Sequence, residues 1–511
     1  MSDVTRRTFL QAAGAGPVAA GASPAPRPNV LIVMFDQWRL DCLGAYGNAL
    51  VKTPNLDRFS ARSANFTNAF IQAPVCVPSR ISFLTGRYPH SHKNRVNYTP
   101  YTQPEPLMQM LLQRAGYSTG SVGKLHFHPP TAEHARQTGF GQVLLDDGID
   151  RTDPYSDYVQ WRKRHDPNAS VPYQQTVGNP PPGKNPFSAV IAKEYTPTAW
   201  TGMETRHMLR DLAAAADPFF LFSSFFKPHS PYTVPEPYAS RYDGVEIPLP
   251  RRVDLDYIDR LPPPVQRMIL RNTPQYDIGR DRLQWMYRSY YAAVTMLDDE
   301  FGAILDELER SGKADNTLIF VVTDHGDQML EHGLFGKNVF FEASVHVPMM
   351  VCWPGHAKPG SYSEMVESVD VLPAILEMCG LTAPECVQGR SFAPLIAGDR
   401  SRYSPREMVF AENVMPEVIT NGDRGAFFVP GKGVDGIRHP DAKMVRTTRW
   451  KLNYYPGHGG ELYDLESDPG EWRNLYHDPA HGRTVNDLKG RILDWMITAD
   501  ENDQIARRWL I

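Results

Sequence analysis

The 511-residue chain is poor in cysteine, with only Cys42, Cys76, Cys352, Cys379 and Cys386, and no two of them form a C-x-x-C pair. That scarcity argues against a disulfide framework and against a structural zinc site built on cysteine pairs. Neither sign of charge is in large excess. The 53 Lys and Arg nearly balance the 58 Asp and Glu, for a net charge of −5, whereas a nucleic-acid-coating or polybasic membrane-binding protein would carry clustered positive charge. No stretch approaches the ~18 consecutive apolar residues of a membrane span, and no internal repeat stands out. What is present is aromatic: 23 Phe, 23 Tyr and 9 Trp supply the core that a disordered chain lacks. The 45 prolines and 38 glycines indicate many surface loops, as on an enzyme scaffold. The length predicts two to four domains, or one large α/β domain with an appendage.

The first residues read as an address rather than as structure. Thr5-Arg6-Arg7-Thr8-Phe9-Leu10 is a twin-arginine pattern, followed by an Ala- and Gly-rich stretch and by Ala20-Gly21-Ala22, an A-x-A-like cleavage site. Residues 1–27 are therefore expected to be a leader, and the mature protein to be periplasmic or secreted by the twin-arginine route of a bacterium. A disordered basic N-terminus is the alternative reading.

Beyond it, Asn29 to Phe35 is an unbroken apolar run, the pattern of a strand buried on both faces of a parallel sheet, and it ends on Asp36. Thr53-Pro54 predicts a helix start with Leu56, Phe59 and Ala64 as its apolar positions. Leu107 to Ala115 predicts a helix, and Tyr117 to Val122 a strand leading to Gly123-Lys124-Leu125-His126. Further strands are expected at Phe219–Phe226 and Leu318–Thr323, the latter ending on Asp324-His325-Gly326. An amphipathic helix is expected from about Leu283 to Leu308. This alternation predicts an α/β fold with a doubly wound sheet, whose site lies outside the carboxyl ends of the strands. Residues 145–200, polar and proline-rich, are expected to form an inserted loop region at the substrate entrance. From about 401 to 511, short strands at Glu407–Ala411, Met444–Thr447, Lys451–Tyr455 and Glu461–Leu465, with a helix near Val485–Ile497, predict a smaller antiparallel α+β subdomain on a main domain of residues 28–400.

The most informative segment is Cys76-Val77-Pro78-Ser79-Arg80, followed by Thr85-Gly86-Arg87. C-x-P-S-R with a trailing T-G-R resembles the signature of type I sulfatases, in which the cysteine is oxidised to formylglycine. The resemblance continues in family order through Thr53-Pro54-Asn55-Leu56-Asp57, Gly123-Lys124-Leu125-His126, Lys227-Pro228-His229, Asp324-His325-Gly326, Glu331-His332-Gly333 to Gly336-Lys337, and Glu461-Leu462-Tyr463-Asp464-Leu465. It implies an alkaline-phosphatase-like fold with a mixed sheet, and hydrolysis of small-molecule or saccharide sulfate esters. It also implies a formylglycine-generating maturation enzyme as a partner.

An aldehyde suits this chemistry. A serine attacking a sulfate ester would exchange one stable ester for another. A hydrated aldehyde carries two hydroxyls on one carbon: one attacks sulfur, and the other collapses to the carbonyl and expels sulfate. The resemblance implies one divalent metal held by Asp36, Gln37, Asp324 and His325, with residue 76 beside it. Oxygen-rich ligation favours Ca²⁺, and the imidazole keeps Mn²⁺ as the alternative. Many family members have a second Asp where Gln37 stands and an Asn where His325 stands. The resemblance further implies that Arg80 orients residue 76, that Lys124 and Lys337 contact sulfate oxygens, and that His126 is the base. His229 with Lys337 would protonate the leaving alcohol, and Asn97 would be a substrate-binding amide. His128 is the alternative base, while His332 and Arg87 read as structural.

Three other readings compete with sulfate hydrolysis. A phosphonate monoester or phosphodiester hydrolase of the same superfamily also fits the D-Q and D-H pairs, but that group has hydroxyl residues in place of the Lys124/His126 pair. A two-metal phosphatase would need a second set of Asp and His ligands, and Lys227-Pro228-His229-Ser230-Pro231 supplies no Asp. A non-catalytic binder of sulfated glycans would tolerate loss of the cysteine, the acids or the lysines, and none is lost.

Overall fold

A computed structural model describes residues 27–97, 99, 106–147, 154–172, 174–176, 183–271, 278–414 and 441–500; the expected leader, residues 1–27, lies outside them except for residue 27. The main sheet consists of β1 (Asn29–Asp36), β2 (Ala64–Phe70), β3 (Ser118–Gly123), β4 (Gln142–Leu145), β5 (Phe219–Pro228), β6 (Thr317–Thr323), β7 (His346–Cys352), β8 (Gly360–Tyr362) and β9 (Val366–Glu367). Its order is β4-β3-β5-β1-β6-β7-β2-β8, with β9 also paired to β2. From β4 to β6 the strands are parallel, and β7 runs antiparallel to both neighbours, so the sheet is mixed.

The apolar run of β1 explains its central place. All eight of its residues are buried, and successive side chains enter opposite faces: Val30, Ile32 and Met34 join one core cluster, Leu31, Val33 and Phe35 the other. Each fully buried side chain of this size contributes about 1.5–3 kcal/mol, which favours the middle of the sheet over an edge. Helices α1 (Pro54–Ala61), α3 (Pro197–Ala213) and α4 (Arg280–Arg310) cover the second face, while α2 (Cys76–Thr85) contributes Val77, Ile81, Phe83 and Leu84 to the first.

Two local expectations are corrected. Helix α1 stops at Ala61, and Ala64 begins β2 instead of extending the helix; the intervening Ser63 is tied back to Phe59 O through its hydroxyl. The segment 145–200 contains more than loops: Asp157–His165 is a helix capped by Ser156, and Pro197 opens α3. Its short apolar stripe, Tyr158 and Val159, was too brief to register as a period. Residues 148–153, 173 and 177–182 of that segment lie outside the described residues.

The second sheet, β10 (Met408–Val414), β11 (Asp441–Thr447), β12 (Trp450–Tyr455) and β13 (Gly459–Asp464), is antiparallel throughout, and α5 (Gly482–Asp500) packs on it. Its other face lies against the main body, since Ala411, Ala442, Met444, Tyr455 and Tyr463 belong to the same apolar cluster as β1. Charge reinforces this contact. The ammonium of Lys451, on β12 and fully buried, lies 2.9 Å from Glu342, just before β7, and 2.8 Å from Glu471. Lys451→Ala would leave the buried Glu471 carboxylate without its cation, so the unfolding free energy should fall by about 3–5 kcal/mol, as measured by urea titration.

Candidate active site

Four adjacent parallel strands, β3, β5, β1 and β6, deliver polar residues to one edge of the sheet. Lys124 and His126 follow β3, His229 follows β5, Asp36 and Gln37 end β1, and Asp324 and His325 follow β6. The β1/β5 register slips between Phe35 and Asp36, bringing Asp36 opposite Pro228 and so beside His229. Gly123 permits the next turn: its φ is +91°, and a Cβ there would collide with the carbonyl oxygen of Ser224. Gln37 and His126 carry φ values of 67° and 60°, backbone strain of a kind that non-glycine residues keep mainly at functional sites.

Cys76 is the first residue of α2, a helix buried along its whole length. Its C-x-P spacing has a local cause. The first intrahelical bond runs from Ser79 N to Val75 O, so Pro78 occupies a first-turn position where no backbone N–H is needed. Val75 offers no capping side chain, and Asn97 Oδ1 accepts from Val77 N–H at 3.0 Å instead. Asn97 thus acts here as a cap supplied from a distant loop, leaving only its Nδ2 for a substrate oxygen.

Around Cys76 Sγ stand His325 Nε2 at 3.2 Å, Lys337 Nζ at 3.3 Å and Lys124 Nζ at 3.9 Å. Burial pushes the thiol pKa up, but Lys124, Lys337 and His325 together hold it well below its ordinary value. The field at this atom therefore favours an anion. Burial also opposes ionisation of Asp36, yet Lys124, whose ammonium pairs with Oδ2, keeps it below the usual carboxylate range. Arg80, 1% exposed, ties the strands together: Nε donates to Asp324 Oδ2 at 2.8 Å, and Nη1 donates to Lys124 O and Ser224 Oγ, each at 2.8 Å.

Asp36, Cys76, Asp324 and His325 place one donor atom each within 4.8 Å of one another. Asp36 Oδ1 is fully buried without a hydrogen-bond partner, 3.7 Å from His325 Nε2. His325 Nδ1 donates to Gly326 O at 2.9 Å, which fixes the ring with Nε2 as the nitrogen directed into the cluster; burial lowers its pKa, but Asp324 raises it overall. An orphaned carboxylate oxygen, a second carboxylate and an oriented imidazole are donors that suit a divalent cation.

Lys337 Nζ contacts Gln37 Oε1 at 2.7 Å and His229 Nε2 at 2.8 Å, while His229 Nδ1 faces Ser230 O at 2.6 Å. His126 is buried with its ring beside the Cys76 thiol, and no other residue engages its ring nitrogens; His128 is half-buried on the same turn. His332 lies stacked on Phe341 and bonded to Tyr257, with burial pushing its pKa down to about 3, a packing residue as expected.

The sequence reading passed over Asp147, which accepts the N–H groups of Leu125 and His126 on one oxygen. It also passed over Ser224 and over Asp327, whose carboxylate meets Gln37. Asp327 adjoins Asp324-His325-Gly326, and that adjacency was its only signal.

A buried cysteine at a helix start, fixed cations and a donor group that could hold a metal ion, all at the carboxyl edge of an α/β sheet, fit an alkaline-phosphatase-like hydrolase. A solved phosphonate monoester hydrolase from Silicibacter pomeroyi superposes with a TM-score of 0.79 at 25% identity, covering 93% of this chain and 96% of that one. The chain belongs to the sulfatase family, whose profile matches residues 28–381, and is a sulfuric ester hydrolase. It is similar to an arylsulfatase of Clostridium perfringens, 28% identical over 488 residues, covering 91% of this chain and 93% of that one. It is also similar to a choline-sulfatase of Rhizobium meliloti, 28% identical over 502 residues with 95% and 91% covered.

Replacing Asn97 by Ala should cost about 1 kcal/mol of stability through the lost cap, whereas Asp at 97, which keeps an acceptor, should restore most of it; thermal unfolding of the two variants checks this.

Proposed function

We propose that the protein cleaves sulfate esters of small molecules or saccharides with a formylglycine made from Cys76 and one divalent cation held by Asp36, Gln37, Asp324 and His325. The observation that carries this reading is the environment of Cys76 Sγ: two ammonium groups and an imidazole within 3.9 Å, beside an orphaned carboxylate oxygen. The sulfur stands where the nucleophilic oxygen of the hydrated aldehyde would be. That hydrate supplies two hydroxyls on one carbon, one to attack sulfur and one whose deprotonation releases sulfate by C–O cleavage. The cation supplies Lewis acidity. Ca²⁺ is the proposed ion, given the carboxylate and amide oxygens, with Mn²⁺ as the alternative suited to His325.

The chain's own groups divide the remaining work. Lys124 and Lys337 set fixed positive charge where the sulfuryl oxygens gather negative charge, in a site buried from water. Arg80 holds Asp324 and the Lys124 carbonyl in place. His126, whose ring lies beside residue 76 with no other residue engaging its nitrogens, takes the proton from the second hydroxyl. Lys337 and His229 share a proton between Nζ and Nε2, 2.8 Å apart, and burial with the neighbouring ammonium lowers the His229 pKa, so this pair can pass a proton to a leaving alcohol. Because Cys76 is 1% exposed, its oxidation by a maturation enzyme would precede folding. Residues 5–10 support export by the twin-arginine route to the periplasm or beyond.

Likeness to the phosphonate monoester hydrolase supports a phosphonate or phosphodiester side activity. Lys124 and His126 favour sulfate as the better substrate.

Active protein should yield a peptide spanning residue 76 that is about 18 Da lighter than its cysteine form, and Cys76→Ala should abolish turnover without unfolding the protein. Unmodified Cys76 in fully active enzyme would refute the formylglycine. Elemental analysis should give one divalent ion per chain, reduced together with the rate by Asp324→Ala.

His126→Ala should lower steady-state turnover of an aryl sulfate by about 10²–10⁴-fold while still giving a burst of alcohol near one per site. Normal turnover by this variant would transfer the role to His128, and a catalytic efficiency higher on the matching phosphonate than on the sulfate would favour the rival chemistry.

A further inference from the structure

Gln37 poses a problem that an aspartate in its place would not. A carboxylate presents oxygen whichever way it turns, but an amide has one oxygen end and one NH₂ end of nearly equal size, and only the oxygen can serve a cation. Something must decide which end faces inward. In this structure Gln37 Oε1 accepts from Lys337 Nζ at 2.7 Å, the same ammonium that lies 3.3 Å from Cys76 Sγ, and Nε2 donates to Asp327 Oδ2 at 2.5 Å. The acceptor is well fixed. Asp327 is 0% exposed; Tyr232 O–H donates to the same Oδ2 at 2.6 Å, and Met329 N–H donates to Oδ1 at 3.0 Å. Arg39 Nη1 holds the Asp327 carbonyl at 2.7 Å. Three donors converge on a carboxylate that has only acceptors to offer, so a flipped amide would set oxygen against oxygen on one side and NH₂ against an ammonium on the other.

We infer that Asp327, braced by Tyr232, is a positioning residue that locks the Gln37 amide with its oxygen on the Lys337 and Cys76 side, where the proposed metal ligands gather, and so sets the metal affinity without touching the ion. The inference rests on the proposed metal site. It explains a pairing in this sequence: a neutral ligand at 37 lies directly against a buried carboxylate at 327, where a charged ligand would be repelled.

The test measures metal binding by chelator-treated full-length protein, without substrate, using Ca²⁺ and Mn²⁺ in competition with a chromophoric chelator. Asp327→Asn is nearly isosteric. Its oxygen can keep the Met329 bond, which turns its NH₂ toward Gln37 and forces the amide over. Affinity should fall about 10- to 100-fold. Gln37→Glu alone adds a negative charge to the ligand set, yet it should bind more weakly than the double variant because Asp327 faces it.

Gln37→Glu combined with Asp327→Asn exchanges carboxylate and amide, restoring one donor against one acceptor. It should return affinity to within a few-fold of the wild type, a rescue that a merely structural Asp327 would not produce. Wild-type affinity in Asp327→Asn, or no recovery in the double variant, would overturn the inference. If Asp327→Asn fails to fold, the comparison of Gln37→Glu with the double variant decides. Absence of metal binding by the wild type would overturn the metal site itself, a result distinct from a wild type that binds and an Asp327→Asn that binds equally.

Discussion

The guanidinium of Arg80 is the constraint on which the site depends. Nearly every charged group at the sheet edge is buried, and removing such groups from water costs several kcal/mol each unless partners replace the lost hydration. Arg80 supplies partners to several elements at once: the Asp324 carboxylate after β6, the Lys124 carbonyl after β3, and the Ser224 hydroxyl on β5. It projects from the same helix that begins with Cys76, so the turn that presents this cysteine also fixes the cations and acids around it. Rigidity there matches the chemistry, since charge developing in a transition state is best met by groups already in place.

The electrostatic layout has a consistent direction. Asp36 is paired with Lys124 and Asp324 with Arg80, while Lys337 contacts Gln37 Oε1, His229 Nε2 and Cys76 Sγ. The carboxylates thus group with Lys124 and Arg80, and the Lys337 ammonium groups with His229 and the Gln37 amide. The loop from Met329 to Asn338 gives Lys337 this position through several left-handed residues, with φ from 43° at Met329 to 80° at Asn338.

The smaller sheet acts as a support. Asn413 on β10 donates to Asn338 O at 2.8 Å, next to Lys337, while Lys451 and Glu471 grip Glu342 a few residues further on. Packing of the second sheet therefore reaches the Lys337 and His229 corner of the site through a short stretch of backbone. His90, bonded to Glu412 on β10 at 2.7 Å, provides a second tie close to the segment that brings Asn97 to α2.

Much of the arrangement was determined by sequence alone, where the signal is local. The unbroken apolar run of β1, the long period of α4 and the acids at strand ends each follow from a few neighbouring residues, as do the four short strands of the smaller sheet. β2 and β7 did not register in that way: β2 carries two asparagines and a threonine on partly exposed positions, and its pairing comes from β7, nearly 300 residues away. Tertiary structure alone decided the rest. The sequence names Gln37 but not which end of its amide faces inward, Asn97 but not that it caps a helix begun twenty residues earlier, and Asp147 not at all. Each depends on hydrogen bonds between segments distant in the chain, whose geometry exists only once the strands are in register.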